Sequence, residues 1–90
     1  MARKDPLARI PDEEPQTMAR VEQLVDDLWP TRYSYQTWIE SAEPRRHVAV
    51  SFGRRAHLRV CIEGAGATWR EAFIEVEKQR LAGKAEGRQP

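Results

Sequence analysis

The side chains in this sequence that are best able to do chemistry are two histidines, His47 and His57, and the single cysteine, Cys61. Imidazole and thiolate groups bind zinc and also act as catalytic bases and nucleophiles. A metal site is not favoured, because these residues lack the short spacing of zinc ligands, such as two cysteines separated by two residues. A nucleophilic Cys61 needs a neighbouring base, whereas the strand pairing argued below puts Ala49 beside it. We therefore predict no metal site and no catalytic residue.

A glycine-containing segment, Gly64-Ala65-Gly66-Ala67-Thr68, is the second candidate for chemistry. It lacks the third glycine of a dinucleotide-binding loop, and the strand before it is predicted to be antiparallel. The sequence also lacks the Gly-x-Ser-x-Gly elbow of serine hydrolases. The segment is therefore a predicted turn, and we expect no cofactor and no enzymatic activity.

Length and charge narrow the remaining functions. Ninety residues are enough for one domain at most. The net charge of +1, from 15 basic and 14 acidic residues, argues against a strong overall field for nucleic acid or membrane. One cysteine excludes an intrachain disulfide, and no apolar stretch suits a signal peptide or a membrane span. We expect a cytoplasmic protein with no membrane partner.

Hydrophobic spacing predicts the elements that position these side chains. A helix over residues 13–29 has Asp12 as its N-cap, with Thr17 as the competing cap. A second helix begins at Thr68, in a capping box that ends at Glu71. Between the helices lie three predicted strands, over residues 33–41, 46–52 and 57–63. We expect a flexible arm over residues 1–12, a single α+β domain over residues 13–82 and a flexible tail over residues 83–90.

The alternation of apolar residues along the strands indicates which face of the sheet is buried. Pairing Val50 with Val60 and Val48 with Ile62 puts these side chains on one face. Ile39 opposite Val48 extends the same face across the first strand. The predicted fold is thus a three-stranded antiparallel sheet with two helices packed on one face, in the order α-β-β-β-α.

The residues that alternate with these along each strand point to the opposite face of the sheet. One row across it contains Glu40, His47 and Glu63. Two carboxylates beside an imidazole are compatible with proton transfer, but we favour an exposed cross-strand ion pair, which contributes little to stability. The next two rows are Trp38, Ala49 and Cys61, and then Gln36, Ser51 and Arg59.

The predicted element order resembles the double-stranded RNA-binding domain. The resemblance is carried by Glu43-Pro44 before the second strand, by Gly64-Ala65-Gly66-Ala67-Thr68 and by Ala72, where that family commonly has Gly-Pro, Gly-x-Gly-x-Ser and Ala. It implies the same fold and binding to duplex RNA. The paired lysines of the family, at the start of the last helix, correspond here to Trp69 and Arg70. The composition also resembles that of short phage-encoded accessory proteins.

Nucleic-acid binding is the alternative function, because phosphate contacts dominate the affinity of such proteins. The candidate residues for it are Arg45, Arg46, Arg54, Arg55 and Arg70. The first two pairs lie in loops at opposite ends of the central strand, so they do not form one patch. Solvated turn residues are the simpler interpretation of these four.

Protein binding is the leading prediction, because tryptophan and arginine are enriched at binding hot spots. The predicted interface is Gln36, Trp38, His47 and Arg59. Two alternatives stay open: Trp38 lies under the N-terminal arm, or the strand register is wrong by one residue. The partner is a protein of unknown identity or a second copy paired through an edge strand. A phage or mobile-element inhibitor of a host protein fits the size.

Overall fold

Six short elements make up the described part of the protein. The computed structural model describes residues 6–55 and 58–83. A 3-10 helix over Pro6–Arg9 is followed by α1 (Met18–Leu28), β1 (Ser34–Glu40), β2 (Arg45–Arg55), β3 (Leu58–Gly66) and α2 (Trp69–Leu81). The strands form one antiparallel sheet in the order β1-β2-β3. The predicted α+β class and the order α-β-β-β-α are confirmed.

Helix α1 begins later than expected. Thr17 is its N-cap, with the hydroxyl oxygen accepting a hydrogen bond from the Arg20 amide at 3.1 Å. Asp12 as the cap was wrong, and its carboxylate instead contacts Arg70. Trp29 ends the helix by donating its amide hydrogen to the Val25 carbonyl oxygen, and Pro30 follows it. Pro15 lies before the Thr17 cap and therefore outside the helix, so its missing amide hydrogen removes no helical hydrogen bond.

Helix α2 begins as its capping box predicts. The Thr68 hydroxyl oxygen accepts a hydrogen bond from the Glu71 amide at 3.1 Å. The Glu71 carboxylate reaches back to the Ala67 amide at 2.9 Å, one residue before the cap itself. Local sequence therefore determines where this helix starts.

The strand register differs from the prediction by two residues. Val50 pairs with Ile62 in β3 and with Tyr35 in β1, rather than Val60 with Val50 as predicted. In the second hairpin, β2 continues to Arg55 with a bulge between Gly53 and Arg55, and the β1–β2 ladder is shifted by two residues as well, with Ile39 opposite Arg46. A shift of two residues keeps every side chain on its face, so the buried face of β2 and β3 is the predicted one. Ile39 in β1, expected on that buried face, is 51 % exposed.

One core lies between the helices and this face of the sheet. Trp29 packs edge-on against Phe73, with ring centroids 6.0 Å apart. The other buried apolar side chains of the two helices and the sheet are Val21, Leu24, Val25, Leu28, Val48, Val50, Phe52, Ile62, Trp69, Ala72 and Val76. Both helices therefore cover the same face of the sheet, as expected.

Residues 6–12, assigned from the sequence to a flexible arm, also contribute to this core. Ile10 is 2 % exposed, and Leu7 packs against the buried cluster. The Arg9 guanidinium donates to the Leu28 carbonyl oxygen at 2.6 Å, at the end of α1 where helix carbonyls lack partners. The sequence did not predict this packing, because Leu7 and Ile10 are isolated apolar residues that do not recur at helical or strand spacing.

A buried carboxylate joins these parts. The Glu77 side chain is 1 % exposed and accepts hydrogen bonds from the Trp29 indole at 2.7 Å and from the Arg80 guanidinium twice at 2.8 Å. Arg9 lies 3.8 Å away. Burial alone raises the pKa of Glu77, but the bonds from Arg80 and Trp29 and the charges of Arg80 and Arg9 outweigh it, so the pKa lies below its ordinary value.

We expect Glu77→Gln to destabilise the fold by about 3 kcal/mol at pH 7, because it leaves Arg80 without its buried carboxylate partner. The wild type should also lose stability as the pH falls below about 4.3, since the unfolded chain then binds a proton that the folded carboxylate resists. Urea unfolding between pH 7 and pH 3 measures both effects.

The control is Glu75→Gln, an exposed residue on the same helix, which should change stability by less than about 0.5 kcal/mol. The variant at residue 77 should show a shallower acid dependence than the wild type. Equal losses for the two variants would contradict the role given to Glu77.

Gly64 marks the point where α2 lies closest to the sheet. A Cβ there would overlap the Ala72 carbonyl oxygen and lie 2.8 Å from the Val76 amide nitrogen. Backbone atoms of a packed helix cannot give way as a flexible side chain can. The close packing of α2 on β3 therefore requires the absence of a side chain at this position.

Gly64→Ala should lower the free energy of unfolding by about 2–3 kcal/mol, because α2 must move away from β3. Gly53→Ala is the matched control, since its Cβ would meet only Tyr33 Cβ at 3.9 Å. Denaturant unfolding of the two variants tests the contact, and a tolerated alanine at residue 64 would refute it.

Candidate functional site

The face of the sheet opposite the helices is the candidate site. We call it the open face, and its described side chains are Ser34, Gln36, Trp38, Glu40, Arg45, His47, Ala49, Ser51, Cys61, Glu63 and Ala65. Each of them is exposed or half-buried, whereas Val48, Val50, Phe52 and Ile62 on the opposite face of β2 and β3 enter the core. The open face is therefore a broad, shallow surface held in place by the packing on its other side.

Four of these residues form a contact cluster, the His47 cluster, of Trp38, Glu40, His47 and Glu63. The Trp38 ring stacks on the His47 ring, with centroids 4.9 Å apart and planes 3° from parallel. His47 Nε2 lies 3.1 Å from Glu40 Oε1, and Nδ1 lies 3.2 Å from Glu63 Oε2. Trp38 is the direct partner of His47 in the β1–β2 ladder, and the two carboxylates reach it diagonally.

Each nitrogen of the His47 ring lies within hydrogen-bonding distance of a carboxylate. An ionised carboxylate only accepts hydrogen bonds, so a neutral imidazole donates to one of the two glutamates and an imidazolium donates to both. In either form, the two carboxylates give the cluster a net negative charge.

Sequence reasoning placed these neighbours imperfectly. The direct partners of His47 are Trp38 and Ala65, not Glu40 and Glu63, because the register differs by two residues. The same shift puts Cys61 opposite Ser51 instead of Ala49. The long side chains of the two glutamates nevertheless span the diagonal, so their predicted contacts with His47 occur.

The other residues of the predicted interface lie farther along the face. Gln36 is exposed and pairs with Ala49. The Arg59 backbone pairs with Gly53 at the bulge, and its side chain lies outside the described residues. Trp38 is 38 % exposed. It does not lie beneath the described N-terminal residues, which pack into the core on the other side, and the register is not wrong by one residue.

Cys61 is an exposed free cysteine. Among residues 6–55 and 58–83, no group of three or more histidine, cysteine or acidic side chains is arranged to hold a metal ion. His57 lies outside the described residues.

The start of α2 is the second candidate site, because helix N-termini bind anions. Here the carboxylate of Glu14 accepts hydrogen bonds from the Trp69 amide at 2.8 Å and the Arg70 amide at 3.1 Å. The Arg70 guanidinium is held by the Pro11 carbonyl oxygen at 3.0 Å and by Asp12 Oδ1 at 3.1 Å. The chain itself therefore occupies the position where a phosphate would bind.

The remaining arginines of the nucleic-acid alternative are dispersed. Arg46 donates to the Ala67 carbonyl oxygen at 2.7 Å, and its Nε lies 4.0 Å from Glu14. Arg45 is exposed and lies on the open face, opposite Glu40 in the β1–β2 ladder. The side chains of Arg54 and Arg55 lie outside the described residues.

Sequence reasoning missed the role of Glu14. Its position near a predicted helix start indicated an acidic first turn of α1. Its partner amides are 55 and 56 residues away, and no local spacing connects two such positions. The available signal was limited to Pro15 and Thr17, which favour a helix start after Glu14.

Comparison with known proteins finds no match to a protein-family model, to a curated protein or to a solved structure. The likeness to the double-stranded RNA-binding domain is therefore one of architecture, an α-β-β-β-α order with a three-stranded antiparallel sheet. None of the helices in the described part has the length and apolar character needed to cross a membrane.

Glu14→Gln should lower the free energy of unfolding by about 1 kcal/mol, because it removes a negative charge from the positive end of α2. Chemical denaturation at low ionic strength measures the loss, which should shrink as salt is added. Glu13→Gln, an exposed neighbour, should stay within about 0.5 kcal/mol of the wild type. A larger effect at residue 13 than at residue 14 would contradict the assigned contact.

Proposed function

We propose that the protein is a non-enzymatic binding module that holds another protein on its open face. The observation that carries this proposal is Trp38, a large aromatic side chain stacked on His47 on an uncovered sheet face. Tryptophan is among the residues that contribute most at protein interfaces. An exposed tryptophan that is not needed by the core therefore supports a contact role.

The packing around Trp38 also favours binding. Its ring is held parallel to His47, and His47 is itself fixed by two carboxylates. A side chain that is already ordered loses less conformational entropy when a partner binds. The shallow shape of the open face suits the surface of a protein better than a small molecule, which usually requires a concave pocket.

Trp38→Ala should abolish capture of the partner while lowering the melting temperature little, because the side chain lies outside the core. The measurement is affinity capture from cells that naturally make the protein, followed by mass spectrometry, with a thermal melt of each variant. Leu81→Ala is the matched control, since Leu81 is also an exposed apolar residue but lies at the end of α2.

The supporting result is a protein retained by the wild type and the Leu81 variant and lost by the Trp38 variant. Retention of the same proteins by all three would place the interface elsewhere. A large loss of stability in the Trp38 variant would assign that residue to the fold instead.

Binding of nucleic acid through Arg45, Arg46, Arg54, Arg55 and Arg70 is the alternative function. Exposed Arg45 is compatible with it, but Arg70 is engaged by the chain and Glu14 occupies the start of α2. We expect no shift of an RNA duplex in a gel at low salt. A salt-dependent shift that weakens in Arg70→Ala would favour this alternative.

The cytoplasmic location and the inhibitor role remain predictions. A cytoplasmic location is inferred from the single cysteine, and a phage or mobile-element inhibitor is inferred from size and composition. Captured partners identified by mass spectrometry would test both.

A further inference from the structure

We infer that the His47 cluster receives a lysine or arginine side chain of a protein partner, seated against Trp38 between Glu40 and Glu63. This inference rests on the proposed protein-binding function and specifies the chemistry of the partner. Three observations lead to it: the charge of the cluster, the geometry of Trp38 and the bonding capacity of the two carboxylates.

The charge of the cluster favours a cation. With His47 between them, neutral or protonated, Glu40 and Glu63 leave the cluster with a net negative charge. Arg45 is the direct partner of Glu40 in the β1–β2 ladder, and it lines a cleft together with Glu63, Glu71 and Glu75. Because these four carboxylates outnumber Arg45 and His47, an additional positive group beside Trp38 would balance a negative charge.

The Trp38 ring provides a surface on which a cation can bind. One side of its ring is covered by the parallel His47 ring, and the side chain as a whole is 38 % exposed. A cation held over the face of a tryptophan is attracted by the negative potential of the ring, and arginine and lysine are the protein side chains that bind in this way.

The two carboxylates have the capacity to bind that cation. Glu40 contacts His47 through Oε1, and Glu63 contacts it through Oε2. Among the described residues, the second oxygen of each carboxylate has no hydrogen-bond partner, so it can accept a hydrogen bond from an ammonium or guanidinium group. Both side chains are about half exposed, at 49 % and 54 %, so they can be reached from solvent.

The same charges argue against other occupants. A second copy docked face to face would bring two negative clusters together, and a nucleic acid would bring phosphates towards them. An apolar partner surface would bury both glutamates without an opposite charge, which is costly. A basic protein surface avoids each of these penalties.

The test uses short capped peptides of alternating arginine and threonine, or lysine and threonine, with a glutamate and threonine peptide as the comparison. The indole N–H signal of Trp38 in a two-dimensional NMR spectrum is the readout, assigned with Trp38→Phe. Trp29 and Trp69 are buried and serve as internal references. We expect the basic peptides to shift the Trp38 signal saturably and the acidic peptide to leave it unchanged.

The double variant Glu40→Gln, Glu63→Gln should weaken the binding of the basic peptides about fivefold, because it removes two partly exposed ion-pair partners. Glu22→Gln with Asp27→Asn is the matched control. It makes the same change in net charge on exposed positions of α1 and should leave the affinity within about twofold of the wild type.

Three results would overturn the inference: no shift with either basic peptide, an equal loss in both double variants, or a Trp38 shift produced by raising the protein concentration alone. None of them removes the proposed function, because capture of a partner that depends on Trp38 is measured separately. If capture needs Trp38 but survives Glu40→Gln, Glu63→Gln, then protein binding stands and the cationic partner is excluded.

Discussion

The buried carboxylate of Glu77 is the interaction on which the arrangement of the elements depends. It receives hydrogen bonds from Trp29 at the end of α1 and from Arg80 within α2, and it lies close to Arg9 of the N-terminal 3-10 helix. A charge in this position is costly unless it is paired. Because α1, α2 and the N-terminal segment must all be in place to pair it, this one group couples their positions.

That coupling has a consequence for the surface. With both helices held on one side of the sheet, no other described element covers the opposite face, where Trp38, Glu40, His47 and Glu63 contact one another. Polar groups near the start of α2 are used internally by Glu14, Asp12 and Pro11. The domain thus has an α-β-β-β-α architecture compatible with a double-stranded RNA-binding fold, while the start of α2 is occupied by the chain's own acidic segment.

The success of the sequence analysis differed from element to element for physical reasons. The Thr68 capping box located the start of α2, because both hydrogen bonds of that box join residues within a few positions. The alternation of apolar residues identified the buried face of β2 and β3, because successive residues of a strand point to opposite faces. The predicted register was wrong by two residues in both hairpins, because apolar alternation repeats every two residues and does not distinguish registers that differ by two. The contact of His47 with two glutamates survived that error only because long side chains reach diagonally.

By itself, the sequence determined the element types, their order and the face that β2 and β3 bury, because these follow from periodicity and from caps that act within one turn. Only the tertiary structure decided that Ile10 enters the core, that Glu14 caps a helix 55 residues away and that Glu77 is buried among Trp29 and Arg80. These contacts join distant parts of the chain. They form when groups from distant segments are buried together, and the residue pattern of a single segment does not predict which distant groups will meet.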